Sequence, residues 1–200
     1  MFNGVVINFC NCFFLKYFIN LNFFIFKLNK KFFNINFGDS ISINGICLTL
    51  LYKSFFFFEF NYCYGTFLNI SIFKKNFLNF EKSINLFNNV DGHFLLGHIN
   101  NISFLKKKFF FFNIIKLYII ENLFFKKFFI YKFSISINGL SLTLNELIFL
   151  KKFIIISINI LNFTYFFTNI KFLKNFDILN IEIDYVIFNI IKNIFYFNFK

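Results

Sequence analysis

A string of eleven residues occurs twice in this chain and constrains the fold more than any other feature. Residues 40–50 read SISINGICLTL and residues 134–144 read SISINGLSLTL, differing only at Ile46/Leu140 and Cys47/Ser141. The copies begin 94 positions apart, nearly half of a 200-residue chain. Such self-similarity predicts two copies of one fold, each under a hundred residues, followed by a tail. A weaker echo agrees: Lys82-Ser83-Ile84-Asn85-Leu86 follows the first string much as Asp177-Ile178-Leu179-Asn180-Ile181 follows the second. The boundary is expected just before Asp91, where Asp91-Gly92-His93 opens the second copy. This gives domains 1–90 and 91–184 and a tail 185–200.

The repeated string specifies its own local structure. Ser40-Ile41-Ser42-Ile43 alternates with the period of a half-buried strand, and Ile46, Leu48 and Leu50 resume the alternation in the other phase. The shift falls across Asn44-Gly45, the strongest two-residue hairpin signal. Ile43 should therefore face Ile46, Ser42 face Cys47, Ile41 face Leu48 and Ser40 face Thr49. The apolar set forms a core face. Ser40, Ser42, Cys47 and Thr49 share the other face, as do Ser134, Ser136, Ser141 and Thr143 in the second copy. Small hydroxyls and a thiol leave room for a planar ligand and can hydrogen-bond its edges; an ordinary solvent-facing strand reads the same way. Elsewhere short strands dominate, with Gly38-Asp39 and Asn138-Gly139 as further turns. From Tyr185 to Phe199 the apolar residues Val186, Ile187, Ile190, Ile191, Ile194 and Phe195 have helical spacing. That helix either packs on its own domain or joins copies of the chain.

Composition matters mainly for what it disqualifies. There are 43 Phe, no Pro, no Trp, no Ala, no Gln and no Arg, so the formal charge of +12 is carried by Lys alone. Phe, Ile, Asn and Lys are the residues of A/T-only codons, so mutational bias explains their abundance and surviving Gly, His, Thr and Asp are the informative residues. The lysines are spread along the chain, and the longest run, Lys106-Lys107-Lys108, is expected in a solvated turn. No nucleic-acid partner is therefore read from charge. Lys, Asn or Glu interrupts every apolar stretch before the 20 or so residues a spanning helix needs, so no membrane partner is expected. No basic start followed by an apolar block marks a secretory signal, and a cytoplasmic protein is expected. Of Cys10, Cys12, Cys47 and Cys63, none are spaced as CxxC; Cys10, Cys12 and Cys63 read as reduced thiols, and no metal site is expected.

Residues 38–50, Gly38-Asp39 through Leu50, resemble the first hairpin of the riboflavin synthase family, and residues 134–146 resemble its second. Met1-Phe2-Asn3-Gly4-Val5-Val6 is similar to the family's start. Asp91-Gly92-His93-Phe94-Leu95-Leu96-Gly97-His98-Ile99 is similar to the two-histidine segment opening its second barrel, and Asn180-Ile181-Glu182-Ile183-Asp184 to that barrel's close. The resemblance runs in order from residue 1 to about 184. It implies an all-β chain of two tandem six-stranded Greek-key barrels with a C-terminal helix, a homotrimer, and an active site between barrels of neighbouring subunits. It also implies the reaction: two 6,7-dimethyl-8-ribityllumazine molecules dismutate by four-carbon transfer, giving riboflavin and 5-amino-6-ribitylamino-pyrimidinedione without metal or cofactor. Two identical substrates meeting face to face suit two similar half-sites, and orienting such a pair can lower a barrier by about 7–11 kcal/mol.

Carried over residue by residue, Gly4, Val5, Val6, Cys47, Leu48, Thr49 and Thr66 match the first barrel's substrate contacts. Gly97, His98, Ile99, Lys132, Ser141, Leu142, Thr143 and Thr164 match those of the second. Within these, His98 is the candidate for proton transfer, because imidazole titrates near working pH. Ser141, Thr143, Cys47 and Ser40 are candidates for positioning or activating the nucleophile, and Asp184 matches the family's acid near the site. His93 reads as structural, since in a strand it would point away from His98. The chain departs from the family at Gly65, where an acid is common, at Asn138 for Asp, and at Asn162, where Leu161-Asn162-Phe163-Thr164 lacks the usual Pro. Glu81-Lys82 and Phe176-Asp177 stand where Gly-Asp is usual. A slow or fragile enzyme is expected. A non-catalytic lumazine- or flavin-binding protein on the same fold is the alternative.

Overall fold

The computed structural model describes residues 1–6, 9–11, 13–18, 23–27, 35–54, 57–61, 77–85 and 89–197. Both repeated strings fold as the sequence demands. Strands β4 (Ser40–Ile43) and β5 (Ile46–Lys53) pair Ser40 with Thr49, Ile41 with Leu48, Ser42 with Cys47 and Ile43 with Ile46. Strands β10 (Ser134–Ile137) and β11 (Leu140–Phe149) repeat that register from Ser134/Thr143 to Ile137/Leu140. Both turns put their Asn and Gly at positive φ, as a two-residue turn matched to strand twist requires.

In the second half, β8 (Asn101–Phe111), β9 (Ile114–Asn122), β12 (Phe153–Leu161) and β13 (Ile178–Ile183) join β10 and β11 in a closed barrel of order β10-β11-β12-β9-β8-β13. Closure leaves no edge strand unpaired. Its interior is aliphatic: Ile115, Leu117, Ile119, Ile135, Ile137, Ile156, Ile158 and Ile181 are all buried. Each such side chain contributes roughly 1.5–3 kcal/mol by leaving water. In the first half, β1 (Phe9–Asn11), β2 (Phe13–Phe18), β3 (Phe23–Lys27), β6 (Phe58–Asn61) and β7 (Phe77–Lys82) join β4 and β5 in a sheet of order β1-β7-β4-β5-β6-β3-β2.

The halves meet through backbone groups and through a few side chains, among them Phe172 stacked on Phe77 at 3.8 Å and Asn169, whose side chain donates to Asn44 Oδ1 at 2.8 Å. Phe2 and Leu95 form an antiparallel bridge, each donating its N–H to the other's carbonyl at 2.9 and 3.0 Å. The side chain of Asn79 donates to the Asn138 carbonyl, and that of Asn180 donates to the Asn44 carbonyl, both at 2.9 Å. The side chains of Asn44 and Asn138 accept the N–H groups of Asn79 and Asn180 at 3.0 and 2.9 Å. Gly45 and Gly139 touch back to back: a Cβ on Gly45 would lie 2.7 Å from the Gly139 nitrogen.

Three expectations need revision. The Asn79/Asn180 correspondence places Leu78-Asn79-Phe80-Glu81 beside Leu179-Asn180-Ile181-Glu182, because Ile43 pairs with Phe80 and Ile137 with Ile181. The echo of Lys82–Leu86 with Asp177–Ile181 is out of register, and Glu81-Lys82 ends strand β7 rather than forming a turn. Lys106-Lys107-Lys108 lies inside β8, where a bulge between Leu105 and Lys107 shifts the pairing. The expected open faces are also partly closed: Ser42 and Ser136 are buried, and a Cβ on Gly139 would lie 3.3 Å from Ser42 Oγ.

Helix α1 (Asn162–Phe167) opens with Asn162 as its first residue, after an extended Leu161. That first position is one Pro fits, so the Pro missing there removes rigidity rather than a contact. Helix α2 (Tyr185–Phe197) falls where the spacing predicts. It buries Ile187 and stacks Phe188 on Phe128 at 5.3 Å, leaving Val186, Ile190 and Ile194 exposed. Among the described residues no helix is long and apolar enough to cross a membrane.

Phe176 has φ +65° where a Gly is usual in the resembling family, and its side chain is exposed. A left-handed conformation costs a residue with a Cβ about 1–2 kcal/mol. Phe176→Gly should therefore stabilise the chain by about 1 kcal/mol and raise the melting temperature by a few degrees. Thermal unfolding checks this; an unchanged or lower midpoint would place no strain at residue 176.

Candidate functional site

The turn-proximal ends of β5 and β11 each meet a short irregular arm. Residues Phe2–Gly4 form one arm and Leu95–Gly97 the other, antiparallel across the Phe2/Leu95 bridge. Because they cross, each arm reaches the far hairpin. The Ser141 N–H donates to the Gly4 carbonyl, and the Cys47 N–H to the Gly97 carbonyl, both at 2.9 Å. The approach is close enough to require glycine: a Cβ on Gly97 would sit 2.6 Å from Cys47 Cβ, and one on Gly4 2.7 Å from Ser141 Cβ. The sequence grouping of Gly4–Val6 with Cys47, and of Gly97–Ile99 with Ser141, is thus exchanged. Gly4 goes with Ser141 and Gly97 with Cys47.

At the Ser141 side, His93 Nδ1 lies 2.6 Å from Ser141 Oγ. Among the described residues His93 Nε2 is buried without a hydrogen-bond partner. Burial holds the His93 pKa below its ordinary value, with the Asp184 charge opposing, so the ring is neutral at pH 7 and one nitrogen can accept a proton. The expectation that His93 is purely structural came from assuming a strand. Residues 91–94 are irregular, which frees the ring to turn toward Ser141. Asp184 accepts the N–H groups of Val186 and Ile187 at 2.8 and 3.1 Å, capping α2. Its charge favours the cationic form of His93.

At the Cys47 side, Gly97 brings His98 beside the hairpin with its side chain exposed. Cys47, Thr49 and Ser40 are half-buried, as are Ser141, Leu142 and Ser134, while Thr143 is exposed. Leu48 is fully buried, so only its backbone could meet a ligand. Val5 is exposed, Val6 lies in the core and Ile99 is half-buried. Lys132 sits exposed in the turn before β10 with φ +67°, its N–H donating to Leu144. Thr164 lies half-buried in α1, its carbonyl accepting the Thr168 hydroxyl. Gly65, Thr66, Cys12, Cys63 and the side chain of Cys10 lie outside the described residues. Among the described residues no group of three or more His, Cys, Asp or Glu is placed to hold a metal ion.

Two residues missing from the sequence-derived set complete the arrangement. Glu81 accepts the N–H groups of Asn3 and Gly4 at 2.7 and 3.1 Å. Glu182 accepts those of Leu96 and Gly97 at 2.7 and 3.1 Å. A repeated Asn-x-Glu, Asn79-Phe80-Glu81 and Asn180-Ile181-Glu182, was the available signal. Burial pushes Glu81 up, opposed by its two N–H donors. Burial pushes Glu182 up to about 7, with the Glu81 charge adding to the rise and its N–H donors opposing it.

The folded chain therefore keeps the Glu182 proton across a range where the unfolded chain, ionising near 4.5, has lost it. Stability from this group is present below about pH 4.5 and is lost as pH rises to about 7. His93 works in the opposite sense, its contribution falling away as pH drops below 6.5. Glu182→Gln removes the first dependence and keeps the second. Across that window the wild-type melting temperature should fall more, or rise less, with increasing pH than that of Glu182→Gln; parallel profiles would assign Glu182 an ordinary titration.

No family model matches the chain. It is 32% identical over 159 residues to a riboflavin synthase of Buchnera aphidicola subsp. Schizaphis graminum, covering 76% of this chain and 73% of the relative. A riboflavin synthase of Buchnera aphidicola subsp. Baizongia pistaciae is 33% identical over 119 residues, covering 57% and 56%. Among solved structures, LumP complexed with riboflavin superposes with a TM-score of 0.77 at 20% identity, covering 92% of this chain and 99% of LumP. LumP complexed with 6,7-dimethyl-8-(1'-D-ribityl) lumazine gives 0.75 at 20% identity, covering 91% and 98%. These two likenesses speak to the fold alone. With a relative of that identity matched over more than two thirds of its length, the chain belongs to the riboflavin synthase family.

Proposed function

We propose that this chain catalyses the dismutation of two 6,7-dimethyl-8-ribityllumazine molecules into riboflavin and 5-amino-6-ribitylamino-pyrimidinedione. The observation that carries the reading is the His93–Ser141 contact of 2.6 Å beside the Gly4 arm. A neutral imidazole there can take the proton of a hydroxyl, or of a water it holds, as that oxygen adds to an electron-poor ring. On the Cys47 side, the exposed His98 is the group we assign to proton exchange at the acidic ring methyl. Ser40, Thr49 and Thr143 would orient ring edges. Each substrate then has one hairpin, one glycine arm and one histidine, and neither step needs a metal or redox cofactor.

This reading includes a tandem duplication, residues 1–90 and 91–184. Its support is the order β7-β4-β5-β6-β3 flanked by β1 and β2, against β13-β10-β11-β12-β9 flanked by β8. The matched Asn and Glu hydrogen bonds support it as well. A homotrimer belongs to the same reading: Val186, Ile190 and Ile194 form an exposed apolar stripe on α2 that a second copy could cover. Light scattering tests this, and a monomer at working concentration would remove it. A cytoplasmic location is part of the proposal.

The direct test incubates the purified chain with 6,7-dimethyl-8-ribityllumazine alone and follows riboflavin by absorbance. Turnover is expected, and binding without turnover would select a carrier instead. His93→Ala and His98→Ala should each lower kcat by about 10²–10⁴-fold, the usual worth of a positioned acid or base. Unchanged turnover in either variant would take that histidine out of the mechanism.

A further inference from the structure

We propose that Glu81 and Glu182 are positioning residues acting crosswise, each holding the arm that backs the ligand-facing hairpin of the other half. The inference rests on the reading that the Cys47 and Ser141 hairpins are the two lumazine half-sites. Glu182, at the end of the second barrel, takes the N–H of Gly97, and the carbonyl of that same Gly97 takes the N–H of Cys47 in the first half. Glu81, at the end of β7 in the first half, takes the N–H of Gly4, whose carbonyl takes the N–H of Ser141 in the second. In each case one residue donates to the carboxylate and accepts from the hairpin. The carboxylate therefore fixes the peptide on which the hairpin hangs.

The choice of a carboxylate is informative. Burying one is expensive unless hydrogen bonds replace its water. Glu182 is 3% exposed, and among the described residues its hydrogen-bond partners are all backbone N–H groups. Elsewhere between the halves the chain uses neutral Asn, where a donor and an acceptor are needed together. At positions 81 and 182 consecutive N–H groups converge, and only a group that accepts with both oxygens satisfies them. Once ionised, above about pH 7 for Glu182, the carboxylate makes charge-assisted hydrogen bonds to these N–H groups, which are among the stronger ones and suit a part that must not drift.

Glu182→Gln keeps the shape but turns a donor toward donors. In the full chain, labelled with ¹⁵N, amide exchange at Cys47 should quicken by roughly tenfold or more while Ser141 stays protected. Glu81→Gln should do the reverse. Titration with 6,7-dimethyl-8-ribityllumazine should then show one of two binding events weakened by roughly tenfold in each variant, with the other retained. KM should rise by a similar factor, with kcat at saturation largely kept. Loosening of the hairpin in the same half as the mutated residue, of both hairpins equally, or of neither, would overturn the crosswise assignment. If Glu182→Gln fails to fold, Glu182→Asp, which keeps the charge but draws it back, is expected to give the same pattern more weakly. A wild-type chain that binds no lumazine would sink the half-site reading, while amide exchange alone decides the crossing.

Discussion

The structure depends on one contact above others: the antiparallel meeting of two short arms at Phe2 and Leu95, which carries each arm across to the other half. Backbone groups make that contact, and backbone groups surround it. The Asn44/Asn79 and Asn138/Asn180 sets bond to main-chain atoms, and Gly45 and Gly139 touch through their main chains. Such a joint asks little of side-chain shape. Hydrophobic cores likewise tolerate wholesale exchange if volume and pattern are kept. A chain driven toward Phe, Ile, Asn and Lys can therefore keep this architecture, provided Gly stays where two backbones touch and an acceptor stays where N–H groups converge. Gly4, Gly45, Gly97 and Gly139 meet the first condition, and Glu81 and Glu182 the second.

What was legible in the sequence was whatever local physics dictates. Period-two alternation broken by Asn-Gly fixes a hairpin register to the residue, and both hairpins have it. Helical spacing after Tyr185 fixes α2. The arms were not legible, because no local pattern says that residues 93 positions apart will bridge. The Asn-x-Glu repeat is present in the sequence, but in a chain so rich in Asn two such triplets do not stand out. The direction of the His93 side chain was not legible for a related reason: strand alternation does not govern an irregular segment. In each case the failure came where tertiary contact, not periodicity, sets the side chain.

The crossing of the arms also changes what the two halves can do. Were each arm to serve its own hairpin, both half-sites would draw on one half of the chain and could diverge only by local substitution. With the arms exchanged, the Ser141 side has His93, whose protonation Asp184 favours, and the Cys47 side has His98 on the arm that Gly97 ties to it. A hydroxyl faces a half-buried, neutral imidazole on one side. On the other a thiol hairpin lies beside an exposed imidazole.

That inequality is what the proposed reaction needs. Two identical molecules enter, and one must give a four-carbon unit while the other receives it. Two equivalent half-sites would hold both substrates in the same protonation environment and bias neither toward donor or acceptor. A hairpin repeated almost unchanged supplies the shared shape for binding the same ring twice. The histidine at each hairpin, half-buried and hydrogen-bonded to Ser141 at one and exposed at the other, supplies the difference between the two sides. Duplication alone would give binding of a pair; the exchanged arms give each hairpin its own histidine, and the different settings of those two histidines make the halves of that pair unlike.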